Sequence, residues 1–229
     1  MTRRRALLTT ASMVGIALLT GGIMKSADAA TGEEQATVDH AVGTLQDLRH
    51  DKEFGNARDL LHRARAVLIA PRIFKAGFFF GGEGGRALMM ARDASGWSNP
   101  AFYTVGSASF GLQIGAQESE MIMFIMTDRA LQALMRNNFK IGANAGIAVA
   151  TLGSTVEGAT TTNAGADIVV WASSSGIYAG ISLDGTVIEP NVDANSNFYG
   201  RIVTSNDIII RRDVRSVAAE PLTREIASL

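Results

Sequence analysis

The 229-residue chain contains no cysteine, which excludes disulfide bridges, thiolate catalysis, cysteine-held metal and a lipid-modified N-terminal cysteine together. Its three histidines, His40, His50 and His62, all fall in one N-terminal region, and none stands in HExxH or another metal-binding spacing. Neither a metal site nor a cofactor is expected. An excess of charge is missing too: 21 basic residues stand against 22 acidic ones, without the basic footprint of a nucleic-acid binder. Nor is there a catalytic constellation. Ser107-Ala108-Ser109-Phe110-Gly111 approaches a nucleophile elbow but lacks its first glycine and a following helix. Glu118, Glu120, Asp128 and Asp184 read as scattered turn or cap carboxylates. The chain is expected not to be an enzyme.

What is present begins with a leader. Arg3, Arg4 and Arg5 form a positive segment, Ala6 to Leu19 an apolar one, and Ala27-Asp28-Ala29 a small-residue cleavage pattern. Together they have the layout of a signal peptide over residues 1–29, followed by a single domain over 30–229. Export by the general or the twin-arginine route fits these residues, so the expected location is the periplasm or cell envelope. Cleavage there deletes four basic residues and one acidic one and leaves a mildly acidic chain. Binding to an anionic surface then requires local clustering of cations.

Glycine is abundant and patterned. The phrase Gly-x3-Gly occurs at Gly77–Gly81, Gly111–Gly115, Gly142–Gly146 and Gly176–Gly180. Read as strands, each phrase has an apolar face and a glycine face, with Phe79, Gln113, Asn144 and Tyr178 between the glycines. Strand glycine marks close packing of a curved sheet or the close approach of a ligand. Those four side chains are therefore a candidate second surface.

Around these phrases, Thr31 and Glu34 resemble a capping box before Val38, Ala41, Val42, Leu45 and Leu48, which recur at helical spacing. Asn56 reads as the cap of a second helix with Ala57, Leu60, Leu61 and Ala64 on one face. Ala66 to Ile69 reads as a short strand stopped by Pro71, and Gly81 to Gly85 as a hairpin or bulge between strands. Thr127 or Asp128 begins a mid-chain helix, Asp184-Gly185 is a hairpin turn, and the segment after Glu220 is weakly helical. Hairpin-linked strands with helices toward the ends predict an α+β fold. Its centre is a glycine-rich antiparallel sheet or partly closed barrel, with N-terminal amphipathic helices and one mid-chain helix.

The strongest chemical signal is electrostatic. Arg58, Arg63, Arg65, Arg72 and Lys75 are offset by Asp59 alone over that stretch. A solvated helix face or a salt-sensitive contact with anionic lipid both fit such a cluster.

The segments ARAVLIAPRIFKAGFFFGGEGGRALMM, GWSNPAF, SASFGLQIGAQ, SSSGIYAGISLDG and NSNFYG resemble, in this order, the SYLF domain, also called the Ysc84-type actin-binding or DUF500 domain. The resemblance spans roughly residues 35 to 210. It implies lipid binding, because eukaryotic members bind phosphoinositides with a basic N-terminal amphipathic helix implicated, and yeast members also bind actin. By position, Arg58, Arg63, Arg65 and Lys75 are the counterparts here. For an exported chain the expected partner is anionic phospholipid or a membrane surface, not actin and not nucleic acid. The alternative is an envelope structural or protein-interaction module without bound lipid.

Overall fold

The computed structural model describes residues 20–77, 80–110, 115–136, 139–143, 146–152, 165–175 and 185–229. Helix α1 (Thr20–His50) and helix α2 (Phe54–Arg63) precede the sheet. Val38, Ala41, Leu45 and Leu48 are buried, as their spacing predicts. The Thr31–Glu34 pair is not the start of α1, which begins at Thr20 and carries Glu34 as a buried residue on its inner face.

Among the described residues nine strands form one sheet: β1 (Ala66–Gly77), β2 (Phe80–Asp93), β3 (Gly96–Trp97), β4 (Ala101–Phe110), β5 (Gly115–Ile125), β6 (Phe139–Lys140), β7 (Val149–Thr151), β8 (Ile168–Ser175) and β9 (Val187–Pro190). Their order is β6-β9-β4-β2-β1-β5-β8-β7, with β3 beside β2. The pairings are antiparallel except β7 with β8. The expected α+β class is thus observed, as a curled half-barrel. Helix α3 (Asp128–Leu134) lies mid-chain, and α4 (Val192–Tyr199), α5 (Ser205–Ile209) and α6 (Glu220–Ser228) follow the sheet.

Both faces of the sheet are covered, which explains why its central strands read as nearly unbroken apolar runs. Leu68, Met89, Met123 and Val170 point into one core with α3 and α5. Val67, Leu88, Phe124 and Val169 point into the other, against α1, α2 and α6.

Pro71 does not stop β1. The strand runs through it by taking one extra residue, so that Ile69 pairs with Leu88 but Arg72 with Arg86. Proline has no N–H to give to a ladder, and a bulge is where a central strand tolerates it. The bulge drives the Arg72 carbonyl against Gly85, where a Cβ would lie 2.2 Å from that oxygen. Gly81 to Gly85 therefore belongs to β2, and its role is to accept the bulge of its neighbour.

The four glycine phrases are not four equivalent strands. Gly77 and Gly81 face each other across β1 and β2. Gly115 opens β5. Gly142 and Gly146 both have left-handed backbone, at φ 82° and 81°, and lie in a turn. The fourth phrase, and Phe79, Gln113, Asn144 and Tyr178 with it, lie outside the described residues.

Candidate functional site

Helix α2 sorts its residues by period. Ala57, Leu60 and Leu61, followed by Ala64, are buried on the sheet, and Arg58, Asp59, His62 and Arg63 face solvent. Asn56 does not cap it: the N-cap is Glu53, whose side chain makes no capping bond, and Asn56 Nδ2 donates to Glu53 Oε2 at 2.9 Å. At the other end Arg63 Nε donates to the Asp59 carbonyl at 3.2 Å. Arg65 pairs with exposed Asp128 at 3.4 Å.

A further cation joins this group that sequence spacing did not indicate. Arg92, at the end of β2, donates from Nη2 to the His62 carbonyl, and its Cζ stands 5.4 Å from the Trp97 ring centre. A cation at a helix C-terminus is favoured by the helix dipole. The pairing of β1 with β2 brings it there, since the Arg92 N–H donates to the Arg65 carbonyl at 2.9 Å.

Arg72 and Lys75 lie elsewhere. Arg72 lies seven residues along the strand from Arg65, roughly 23 Å at about 3.3 Å per residue. Arg72 is bound by Glu118, with Nη2 3.2 Å from Oε2, and its guanidinium stands 5.1 Å from the half-exposed Phe74 ring. The hydrogen bond from Arg72 holds the Glu118 carboxyl below its ordinary range. Lys75 is in register with Glu83 on one side and Gln117 on the other. The five sequence-adjacent cations thus form two groups, not one patch.

A polar layer under α1 was also not indicated by sequence. Glu118 and Glu120 sit within β5, not in turns, because their alternation places them on the α1 side beyond Ile122 and Phe124. Burial pushes the Glu120 carboxyl up to about 7, and the facing Asp47 carboxyl and neighbouring Glu118 push in the same direction. Glu34 is likewise raised by burial, in spite of Arg86 Nη1 at 3.5 Å.

At the end of the sheet that carries α2, two of the recognised motifs hold each other. Ser98 Oγ accepts from the Ala91 N–H at 3.0 Å and donates to the Asn99 carbonyl at 2.9 Å. Asn195, fully buried, accepts from the Phe102 N–H at 2.7 Å. The Phe198 ring lies 5.0 Å from Phe102, and Tyr199 Oη donates to the Pro100 carbonyl at 2.7 Å. Gly200, with φ 67°, ends α4. Asn195, Phe198 and Tyr199 of NSNFYG thus join α4 to Pro100 and Phe102 of GWSNPAF, while Ser98 ties the same segment to β2.

Among the described residues no group of three His, Asp or Glu side chains can hold one metal ion, and no helix is long and apolar enough to cross a membrane. A cavity lined by Ile73, Glu83, Val105, Ser107, Met121 and Thr186 has a volume of about 10 Å³. That is room for one water and far from the space an acyl chain requires.

These features define an α+β domain in which helices cover both faces of a curled sheet. The family model for "Las17-binding protein actin regulator" (Ysc84) matches residues 106–229, and the chain belongs to that family, as the SYLF resemblance implied. The human "SH3 domain-containing YSC84-like protein 1" is 30% identical over 165 residues, which cover 71% of this chain and 48% of that protein. "LAS seventeen-binding protein 3" of Saccharomyces cerevisiae is 30% identical over 174 residues, covering 74% and 38% respectively. The chain spans about half or less of the length of these curated relatives.

Proposed function

We propose that the chain is a non-enzymatic protein of the bacterial cell envelope that docks on anionic phospholipid through the outer face of α2. The observation that supports this reading is the state of Arg58 and Arg63. Both are exposed on a helix whose apolar side is committed to the core, and no carboxylate lies within ion-pair distance of either among the described residues. Export fits the same reading: cleavage after Ala29 removes the first turns of α1 and keeps Val38, Ala41, Leu45 and Leu48 on the sheet.

Near an anionic bilayer each such cation contributes about 1 kcal/mol. Arg58, Arg63, Arg65 and Arg92 together give about 4 kcal/mol at most, which corresponds to a dissociation constant of about 1 mM. Docking by charge alone is therefore weak and salt-sensitive.

Sedimentation with phosphatidylglycerol vesicles, compared with phosphatidylcholine vesicles, tests this. Binding is expected with the first and not the second, and the triple change Arg58→Ala, Arg63→Ala, Arg65→Ala is expected to weaken it at least tenfold. Equal binding to both vesicles, or no loss in the triple variant, would overturn the reading. The names of the relatives carry a second one, in which the domain docks an actin-regulating protein. It predicts binding to such a partner that survives the triple change.

A further inference from the structure

The chain crosses from one face of the sheet to the other twice at the α2 end. After α4 it passes through Arg201 and Ile202 to Val203, which is buried in the α5 core. After α5 it returns through Arg215, Ser216 and Val217 to Leu222, buried against α1. The two crossings are pinned to adjacent residues: Tyr199 Oη to the Pro100 carbonyl at 2.7 Å, and the Ser216 N–H to Asn99 Oδ1 at 3.0 Å. Arg212 ties the second crossing to the turn between β2 and β3, with Nη1 2.9 Å from Ser95 Oγ and Nη2 2.8 Å from the Gly96 carbonyl.

Both crossings hold large apolar side chains out in water. Ile202 is 87% exposed and Val217 79%, and Ile210 between them is 53% exposed. Arg201 and Arg215 beside them are exposed and have no carboxylate in ion-pair distance among the described residues. Arg211 is paired with Asp207 at 3.2 Å and Arg212 with Asp93 at 3.0 Å, while Asp213 is exposed. Arg92, on the strand that carries this turn, links the same end to the C-terminus of α2.

We propose that Ile202 and Val217 are membrane-insertion residues, which enter the interfacial layer of an anionic phospholipid bilayer and set the protein on it by its α2 end. The proposal rests on the lipid-docking reading above and adds depth and orientation to it. Isolated apolar side chains on two pinned crossings, Val217 at the start of a 3-10 turn, flanked by Arg215 without a carboxylate partner and by Arg201 whose charge reaches Asp207, match a deformable surface that is apolar within and anionic at its headgroups. A protein partner of ordinary kind would instead need a continuous complementary patch of about 800 Å². Charge attraction that is weak alone becomes stable docking when apolar burial is added, the two-signal logic of peripheral membrane proteins.

The absence of cysteine makes the test direct. Ile202→Cys, Val217→Cys and, as control, Ala172→Cys on the flank of β8 are each labelled with a polarity-sensitive fluorophore in the otherwise unchanged chain and mixed with phosphatidylglycerol vesicles. Probes at 202 and 217 are expected to brighten and to be quenched by spin-labelled lipid, with none of this at 172. The double variant Ile202→Ser, Val217→Ser is expected to lose about tenfold in vesicle affinity with unchanged thermal melting, since both side chains are solvent-exposed. Sedimentation of the wild type without a response at 202 and 217 overturns insertion and leaves lipid docking standing. Failure of the wild type to bind anionic vesicles overturns both.

Discussion

Raising the pH from about 5 to about 8 is expected to weaken the fold through Glu120, and Glu120→Gln should remove most of that loss. Glu120 is half-buried on β5 under α1, where Asp47 faces it and Glu118 lies on its own strand, with Glu118 already bound to Arg72 and close to His40. Its carboxyl is pushed from 4.5 to about 7, by burial first and by the two carboxylates after it. Between those values the native state keeps a proton that the unfolded chain has released. The native state thus binds more protons, and stability falls as pH rises through this window. At full strength the displacement is worth roughly 3 kcal/mol, and solvent screening at a half-exposed site reduces it to about 1–2 kcal/mol. Urea unfolding followed by tryptophan fluorescence measures it. Glu120→Gln should match the wild type at the acidic end and exceed it at the alkaline end, with a smaller slope remaining from Glu34, which is raised in the same direction. Parallel curves for variant and wild type across this range would refute the argument.

Gly85→Ala should cost about 2–3 kcal/mol in the same assay, because its Cβ meets a backbone carbonyl that moves only if the Pro71 bulge moves. Asn195→Ala should cost about 1–3 kcal/mol by leaving the buried Phe102 N–H without an acceptor. Asp167 is buried, which by itself raises its carboxyl, but the Ala148 N–H, Thr127 and Arg129 outweigh burial and hold it below its ordinary range. Its contribution is present above the unfolded value of 3.8 and lost as pH falls through the lower folded one. Asp167→Ala should flatten that acid limb and cost about 1–3 kcal/mol near neutrality, since the Ala148 N–H and the Thr127 hydroxyl lose their acceptor while exposed Arg129 is left to water.

What could be read from the sequence was local. The inward residues of α2 and α3 follow helical spacing, and Thr127 caps α3 by accepting from the Ala130 N–H at 3.2 Å, as its position predicts. What could not be read depends on residues brought together from afar. Proline and five residues of GGEGG look like breaks to any local rule, and become continuous strands because the bulge at Pro71 and the bare backbone of Gly85 fit each other. Glu118 and Glu120 look like turn residues until the register of β5 sets them under α1. The cation group suffers the same way in reverse: adjacency in sequence joined Arg65 to Arg72, and an extended strand separates them.

The motifs that mark the family are consumed in building the scaffold. Asn195, Phe198 and Tyr199 bind Phe102 and Pro100, and Ser98 and Asn99 bind Ala91 and Ser216. A polar group with its hydrogen bonds already made inside the fold has little left to offer a ligand. The family match, moreover, begins at Gly106, after α1, α2 and β1 to β3. The matched segment thus supplies α4 and the strands from β5 onward, while β1 to β3 and the Ser98 to Phe102 half of the lock precede it. The side chains proposed above to meet a membrane, Arg58 and Arg63 on α2 and Arg201, Ile202, Arg215 and Val217 on the two crossings, are exposed and take no part in that lock, which pins the two crossings to Asn99 and Pro100.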